Sequence, residues 1–205
     1  MTNDIKRAEQ RAAMIGVLSA KNDDNTWRVL PQKIAQVTVK STDSAWAIDH
    51  SKKLFNWTGT KWLQIPISFP ADYVSMSAKD AVWVLSNNTV WMRKGSGWTK
   101  LPITEPIEIA QMEVRSEGEG VGVGVDGKVY RYANEWKPLP LPEGKAVHVS
   151  IGDSGNIWAV NDAKQVFSYN EKLKAWAIID GAHLIQLAVR NDNDVWGVTD
   201  NKKIK

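Results

Sequence analysis

The chain is built from a repeated unit, and this repetition limits its fold more than any other feature. Four copies of a marker carry a Trp, two further residues and an apolar–Pro pair, at residues 27–31, 62–66, 98–102 and 136–140, and a degenerate copy without Pro covers 176–180. A second Trp recurs between them, as Trp46, Trp83, Trp158 and Trp196. In the third repeat the spacing predicts Gly122 at the position of this Trp. A spacing of about 35–40 residues is typical of one propeller blade.

Within each repeat the apolar residues alternate with a period of two, which indicates strands and not helices. The first strand of each repeat is predicted at residues 36–40, 74–77, 112–115, 148–151 and 186–189. The second strand holds the second Trp, the third carries Phe55, Trp91, Tyr130 or Phe167, and the fourth starts at the Trp of the Trp–Pro marker. A Pro directly after the fourth strand suits an edge strand. The pattern predicts an all-β, five-bladed β-propeller with four-stranded antiparallel blades near 35–65, 73–101, 110–140, 147–179 and from 185 onward.

The two ends of the sequence complement each other. The fifth repeat stops at Lys205, inside its third strand, and residues 26–30 offer the outer strand that it lacks. We therefore expect the N-terminal strand to close the ring, with either 17–20 or 202–205 as the third strand of the closing blade. Residues 4–15 place Ile5, Ala8, Ala12 and Ile15 on one helical face, which predicts a short helix; a loosely ordered tail is the alternative. The predicted organisation is an N-terminal segment at 1–25 and a propeller domain at 26–205.

The motifs resemble those of a known family. Residues 157–161 (Ile-Trp-Ala-Val-Asn), residues 129–132 (Val-Tyr-Arg-Tyr) and the Trp-x-x-Leu-Pro marker are similar to the tectonin repeat, and the likeness extends over 26–205. Tectonin-repeat proteins look like small β-propeller lectins, related in architecture to the tachylectin type. The resemblance implies glycan binding at several equivalent sites around the ring. The chain departs from the family at Gly122, at 176–180, which lacks the Trp–Pro pairing, and in having five repeats.

Most of the aromatic residues are predicted to be architecture. Nine of the 11 Trp fall at the two repeating marker positions, where large side chains cement neighbouring blades. The outer position of the third strand differs, because Trp57, Arg93, Tyr132 and Tyr169 occupy it beside polar turns. An aromatic face next to amide or carboxylate groups is what a saccharide requires. We therefore take these four residues, together with Trp91, as candidate carbohydrate ligands.

The turn after the second strand supplies polar candidates in all five repeats: Asp49, Asn87, Asp126, Asn161 and Asp200. As carbohydrate ligands they would bind sugar hydroxyls, whereas turn geometry alone also favours Asp and Asn at such positions. Both interpretations remain open at each position. Similar weak sites around one ring would raise avidity by about 10²–10⁴ on a repetitive surface.

Composition excludes several other classes of function. The chain has no Cys, which rules out disulfides, thiolate metal sites and a cysteine nucleophile. The three His share no repeat position, the charge of +3 is too balanced to indicate nucleic acid binding, and no apolar run could span a membrane. There is no P-loop, nucleophile elbow or other catalytic motif, so we expect neither an enzyme nor a cofactor.

Two functions follow from the sequence, and structure can discriminate between them. The first is a multivalent lectin of defence or surface recognition, which predicts similar pockets repeated around the ring. The alternative is a protein-interaction scaffold, which predicts one exposed apolar patch on one propeller face. No secretory signal is recognisable, so a cytoplasmic location is expected, with release by a non-classical route as an option. Partners would be surface glycans, and oligomerisation stays open.

Overall fold

The computed structural model of the protein describes residues 19–21, 27–29, 34–41, 43–102 and 107–199. Every regular element in these ranges is a β-strand. The predicted helix at 4–15 and the alternative third strand at 202–205 lie outside the described residues.

Four sheets have the form of propeller blades, each with four antiparallel strands in sequence order. Blade 1 comprises β3 (Ile34–Ser41), β4 (Ser44–Asp49), β5 (Leu54–Trp57) and β6 (Trp62–Ile65). Blade 2 comprises β7 (Tyr73–Met76), β8 (Val82–Ser86), β9 (Thr89–Lys94) and β10 (Gly97–Lys100). Blade 3 comprises β11 (Ile109–Ser116), β12 (Glu119–Gly124), β13 (Val129–Ala133) and β14 (Trp136–Pro138). Blade 4 comprises β15 (Ala146–Ile151), β16 (Ile157–Asn161), β17 (Gln165–Asn170) and β18 (Ala175–His183).

Two further sheets have two strands each. At the N-terminal side β1 (Ser19–Lys21) pairs with β2 (Trp27–Val29), and at the C-terminal side β19 (Gln186–Asn191) pairs with β20 (Asp194–Val198). β1 lies beside the strand of Trp27, as expected for the segment at 17–20. The all-β class and the four-stranded antiparallel blades are thus confirmed.

The strand register corrects the alignment of the third repeat. Trp46, Trp83 and Trp158 pair with Thr38, Ser75 and Ser150, which occupy equivalent positions on the inner strands of their blades. In blade 3 the equivalent pair is Glu113 with Val121, while Gly122 pairs with Met112. The prediction that Gly122 replaces the Trp is therefore wrong by one residue, because alternating Gly and Val residues gave no anchor for the alignment.

The glycine that matters at this point is Gly120. A Cβ atom on Gly120 would lie 2.5 Å from Cζ3 of Trp83 and 2.8 Å from the carbonyl oxygen of Glu113. The bare backbone of β12 therefore makes room for the indole of the preceding blade. Trp83 itself is fully buried, and its ring lies 5.4 Å from that of Tyr132 and 6.2 Å from that of Trp136.

The inner strands of neighbouring blades are joined by side-chain bridges to backbone. The Gln36 amide accepts from the Val74 N–H and donates to its carbonyl, both at 2.8 Å. Gln111 repeats this double bond with Val149 at 3.1 Å. The hydroxyl of Ser75 accepts from the Val114 N–H of blade 3, and that of Ser150 accepts from the Val189 N–H of β19, both at 3.1 Å. Short polar side chains on the inner strands thus replace backbone pairing between separate sheets.

Candidate functional site

The predicted third-strand set occupies one repeated place in the structure. Trp57 pairs with Trp62, Tyr132 with Trp136 and Tyr169 with Trp176 across the third and fourth strands. Arg93 pairs with Trp98 in the same way. Each candidate is therefore next to the Trp of the Trp–Pro marker, near the end of the blade where the third strand finishes.

Three members of this set are used in packing between blades. Tyr132 is buried among the residues that join blades 2 and 3, and burial raises the pKa of its hydroxyl. Tyr169 packs at 5.2 Å from Trp176 within the core between blades 3 and 4. The Arg93 guanidinium lies 4.6 Å from the ring centroid of Trp46, and burial lowers its pKa. A cation placed over an indole face stabilises the contact between blades 1 and 2.

Trp57 and Trp91 are the two Trp outside the repeating marker positions. Trp57 is half-buried, with its ring centroid 5.5 Å from that of Trp62. Trp91 stacks on Phe69 at 4.5 Å with an interplanar angle of 15°. One face of the Trp91 indole is thus already covered by the segment that connects blades 1 and 2.

Asp49 and Asn161 bind the backbone of their own turns, and Asn87 does not. One carboxylate oxygen of Asp49 accepts from the Ser51 and Lys53 N–H groups at 2.9 and 2.8 Å. The side-chain oxygen of Asn161 accepts from the Gln165 N–H at 2.9 Å. Asn87 lies at φ 46° and its N–H donates to Asp72 at 2.7 Å. The Asp49 and Asn161 bonds close their own turns, as Asp and Asn commonly do, whereas the Asn87 bond joins its turn to Asp72 just before β7.

Asp126 combines turn closure with a tyrosine contact. It accepts from the Lys128 N–H at 3.0 Å and from the Tyr130 hydroxyl at 2.8 Å. Burial alone would raise the pKa of Asp126, but these hydrogen bonds and the Lys128 charge lower it overall. Asp200 lies outside the described residues.

The structure does not bring the two predicted halves of a glycan site together. Asp49 precedes β5, whereas Trp57 is the last residue of that strand. The other blades repeat this order, so the polar turns lie at one end of each blade and the aromatic positions at the other. The turn residues also differ in register: Asp49 and Asn161 both pair with the first residue of an inner strand, whereas Asn87 and Asp126 lie beyond the paired residues. The carbohydrate role of the ten residues stays a prediction.

An apolar set at the turn end of blades 3 and 4 and the C-terminal hairpin was missed. Val125, Val147 and Ile185 are 59%, 48% and 42% exposed. Val125 directly follows β12, and Val147 is a bulge residue between Ala146 and His148. Ile185 directly precedes β19, and its N–H donates to the carbonyl of Val198 at the end of β20. Because the Ala146 N–H donates to Gly127 at 2.8 Å, the turn that carries Val125 lies against the start of β15. We call Val125, Val147 and Ile185 the turn-face apolar set.

The same positions are polar in blade 2. Asp72 corresponds to Ile185, since its N–H donates to Leu85 as that of Ile185 donates to Val198. Asn87 corresponds to Val125 as the residue after the paired end of the second strand. Burial would raise the pKa of Asp72, but bonds from Lys52 and the Asn87 N–H lower it. The only sign of the turn-face apolar set in the sequence was an apolar residue one position beyond the alternating pattern of a strand.

Other site chemistry is sparse in the part of the chain that the structure describes. Within those residues no group of three or more His, Asp or Glu is placed to hold a metal ion. No helix in the described ranges has the length and hydropathy to cross a membrane.

Comparison with known proteins agrees with this architecture. Residues 108–205 match the Tectonin domain family, which confirms the resemblance to tectonin-repeat propellers, and no curated protein sequence matches the chain significantly. The WD40 β-propeller domain of Doa1 superposes with a TM-score of 0.65 at 8% identity, covering 84% of this chain and 62% of that one. YCF48 bound to D1 peptide superposes with a TM-score of 0.59 at 16% identity, covering 92% of this chain and 65% of that one.

A further structure shares the fold. YCF48 from Cyanidioschyzon merolae gives a TM-score of 0.64 at 14% identity and covers 88% of this chain and 74% of its own. The present chain spans less than two thirds of the Doa1 domain and of the peptide-bound YCF48 chain. At these identities the structural likeness shows a β-propeller fold alone, and residues 108–205 of the chain match the Tectonin domain family.

Proposed function

We propose that this protein is a non-enzymatic binding module that holds a polypeptide segment on the turn end of blades 3 and 4 and the C-terminal hairpin. The observation that carries the proposal is the turn-face apolar set, which is confined to one part of the ring. A set of sites for repeated glycans would recur with the blades, whereas blade 2 carries Asp72 and Asn87 at the equivalent positions.

The physical basis is desolvation of exposed aliphatic groups. Exposed aliphatic side chains that form one patch are typical of a protein contact, and these three all lie at the turn end of blades 3 and 4 and the C-terminal hairpin. Covering them releases about 25 cal/mol per Å² of apolar area. Asp126 is exposed directly after Val125 and would lie in the polar rim of the contact.

Peptide and glycan arrays probed in parallel with the purified protein test this function. We expect peptides with aliphatic or aromatic anchors to bind, and Val147→Lys or Ile185→Lys to weaken binding at least about tenfold. Leu63→Lys is the matched control, because Leu63 is similarly exposed at 41% but lies on the outer strand β6. Absence of peptide binding, or equal loss in the control, would overturn the proposal.

Multivalent glycan binding is the second candidate, favoured by the match to the Tectonin domain family. It predicts hits on the glycan array that weaken in Trp57→Ala and persist in Val147→Lys. Trp57 is the residue to test because it is half-buried. Its cross-strand partner Trp62 packs against Ile34 and Val37 of the inner strand and not in the core between blades 1 and 2.

We further propose that the two-stranded sheets are halves of one fifth blade that closes the ring. Ala188 pairs with Trp196 as Ser150 pairs with Trp158, which gives β19–β20 the inner and second strands. Lys21 pairs with Trp27 as Trp57 pairs with Trp62, which gives β1–β2 the third and outer strands. The double variant Lys21→Cys/Val195→Cys, in a chain without other Cys, should form an intramolecular disulfide; only intermolecular cross-links would contradict closure.

A further inference from the structure

The chain contains two Asp–Gly pairs, Asp126–Gly127 and Asp180–Gly181, and no Asn is followed by Gly. In such a pair the backbone nitrogen of Gly can attack the side-chain carboxyl of Asp, because Gly has no Cβ atom to obstruct the approach. The attack is intramolecular, so its rate depends on whether the folded backbone lets the two groups meet. The surroundings of the two pairs are opposite in this respect.

Both reacting groups of Asp126–Gly127 are already bound. One carboxylate oxygen of Asp126 accepts from the Lys128 N–H at 3.0 Å, and the other accepts from the Tyr130 hydroxyl at 2.8 Å and lies 3.1 Å from Lys128 Nζ. The Gly127 N–H donates to the Gly124 carbonyl at 2.9 Å. The carboxyl and the nitrogen can therefore approach each other only if these bonds break.

The turn of Gly127 is also held by the next blade. A Cβ atom on Gly127 would lie 2.7 Å from Cβ of Lys145, and the Gly127 carbonyl accepts from the Ala146 N–H at 2.8 Å. Burial would raise the pKa of Asp126, but its hydrogen bonds and the nearby Lys128 charge lower it overall. The carboxyl is thereby kept in the ionised form, which resists attack.

Asp180–Gly181 lies in a bulge of β18. Ile179 and His183 pair with adjacent residues of β17, so residues 180–182 have no cross-strand partner. Asp180 and Gly181 are both exposed. Gly181 has a φ of 72°, and a Cβ atom placed on it would have no neighbour within 4 Å. The strand ladder therefore does not fix the backbone of this pair.

The side chain of Asp180 is equally unconstrained. Within the described residues its carboxylate has no hydrogen bond and no ion pair. Ile179 and Ala182, on either side of the pair, pack against the core between blade 4 and the C-terminal hairpin. The packing contacts of this segment are thus made by its flanking residues, while the pair itself faces solvent.

We propose that Asp180 is a site of spontaneous isoaspartate formation and that Asp126 is protected from the same reaction. The Gly181 nitrogen attacks Cγ of Asp180, an N–C bond forms, and the amide proton and the carboxyl hydroxyl leave as one water. The product is a cyclic succinimide. Water then adds to a ring carbonyl and breaks its C–N bond. Opening at the α-carbonyl leaves the chain running through the Asp180 side chain, whereas opening at Cγ restores Asp.

Ageing of the purified full chain for weeks at neutral pH tests the proposal. After proteolysis, methylation by an isoaspartyl methyltransferase detects isoaspartate, and the loss of one water in mass spectrometry detects the succinimide. We expect isoaspartate at Asp180 to form at least about tenfold faster than at Asp126. In the chain unfolded in urea the two pairs should react at similar rates, because both are Asp–Gly and the protection by the fold is gone.

Two variants separate the sites. Asp180→Glu keeps the charge but lengthens the side chain, which disfavours ring closure, so the signal at this position should disappear while that at Asp126 is unchanged. Tyr130→Phe removes one hydrogen bond from Asp126 and should raise isoaspartate there but not at Asp180. Phe is tolerated at this position, since Phe55 and Phe167 are the equivalent residues of blades 1 and 4.

Three results would overturn the proposal. The first is a folded wild type without isoaspartate at Asp180. The second is a folded wild type in which Asp126 reacts as fast as Asp180. The third is a Tyr130→Phe variant in which only Asp180 changes its rate, because protection at Asp126 would then not come from its hydrogen bonds.

Discussion

The contact between blades 2 and 3 and the contact between blades 3 and 4 solve the same packing problem with different chemistry. Between blades 2 and 3, Trp83 inserts over Gly120 and meets Tyr132 and Trp136. Between blades 3 and 4, Val121 takes the place of the indole and packs in an aliphatic cluster with Ile151 and Ile157. The same backbone repeat therefore accepts a Trp or a Val at this position of the second strand, while the pair of Tyr and Trp from the third and fourth strands is kept in both contacts.

The contact between blades 3 and 4 is supplemented by hydrogen bonds and an ion pair. Gln111 makes its two hydrogen bonds to Val149 there, and Arg115 donates to the Asp153 carbonyl at 3.0 Å. Arg131 also binds Glu171 across the same contact at 2.8 Å. Gln36 makes the same two bonds to Val74 between blades 1 and 2, where Trp46 is kept, so the contacts of Arg115 and Arg131 are what distinguishes the contact between blades 3 and 4, and such contacts are individually weaker than a buried ring.

The largest effect should come from the two equivalent core residues. Trp83→Ala should lower the free energy of unfolding by about 3–5 kcal/mol, since it deletes a fully buried indole. Val121→Ala should cost roughly 1–2 kcal/mol, because it removes only two methyl groups. Urea denaturation of both variants measures the difference, and equal losses would contradict an aromatic origin of the contact between blades 2 and 3.

A smaller effect is expected from Gly120→Ala. The new Cβ would overlap the Trp83 ring and the Glu113 carbonyl, which should cost about 1–3 kcal/mol. Because part of this clash is with Trp83, the double variant Gly120→Ala/Trp83→Leu should lose less stability than the sum of the two single variants. Strict additivity would show that the backbone clash alone decides the cost.

The smallest effect concerns the ion pairs between blades 3 and 4. A hydrogen bond from Lys174 is the main cause that lowers the pKa of Glu171, and Arg131 lowers it further. Burial opposes this shift without cancelling it. A carboxyl with a lowered pKa in the folded state stabilises the protein above its ordinary pKa, and this contribution is lost as the pH falls through the lowered value. Glu171 is half exposed, so Glu171→Gln should cost below about 1 kcal/mol at pH 7.

The measurement for Glu171 is the pH dependence of unfolding. Urea midpoints of Glu171→Gln and the wild type should differ near neutral pH and converge well below pH 4.5, the ordinary value for this group. Glu135→Gln is the control for the same change in net charge, because the pair of Glu135 with Lys137 is exposed and lies within blade 3. A constant difference down to the lowest pH would contradict an electrostatic origin.

The sequence by itself determined the repeat, the strand content and the equivalence of the third-strand positions. These follow from local chemistry, because alternation fixes which face of a strand is buried and the Trp–Pro marker fixes where each blade ends. The predicted row of Trp57, Arg93, Tyr132 and Tyr169 is therefore one structural row. The register of the Gly-rich strand β12 could not be predicted in this way, since neither Gly120 nor Gly122 anchors an alignment.

Only the tertiary structure decided what these residues touch. That Tyr132 faces a neighbouring indole and that Asp49 closes its own turn depends on how separate blades stack and on where each turn ends. The exposure of Val125, Val147 and Ile185 also arises from three-dimensional placement, because accessibility is a property of neighbours distant in sequence. Local patterns set the blades, and contacts between blades set the surface that is left for binding.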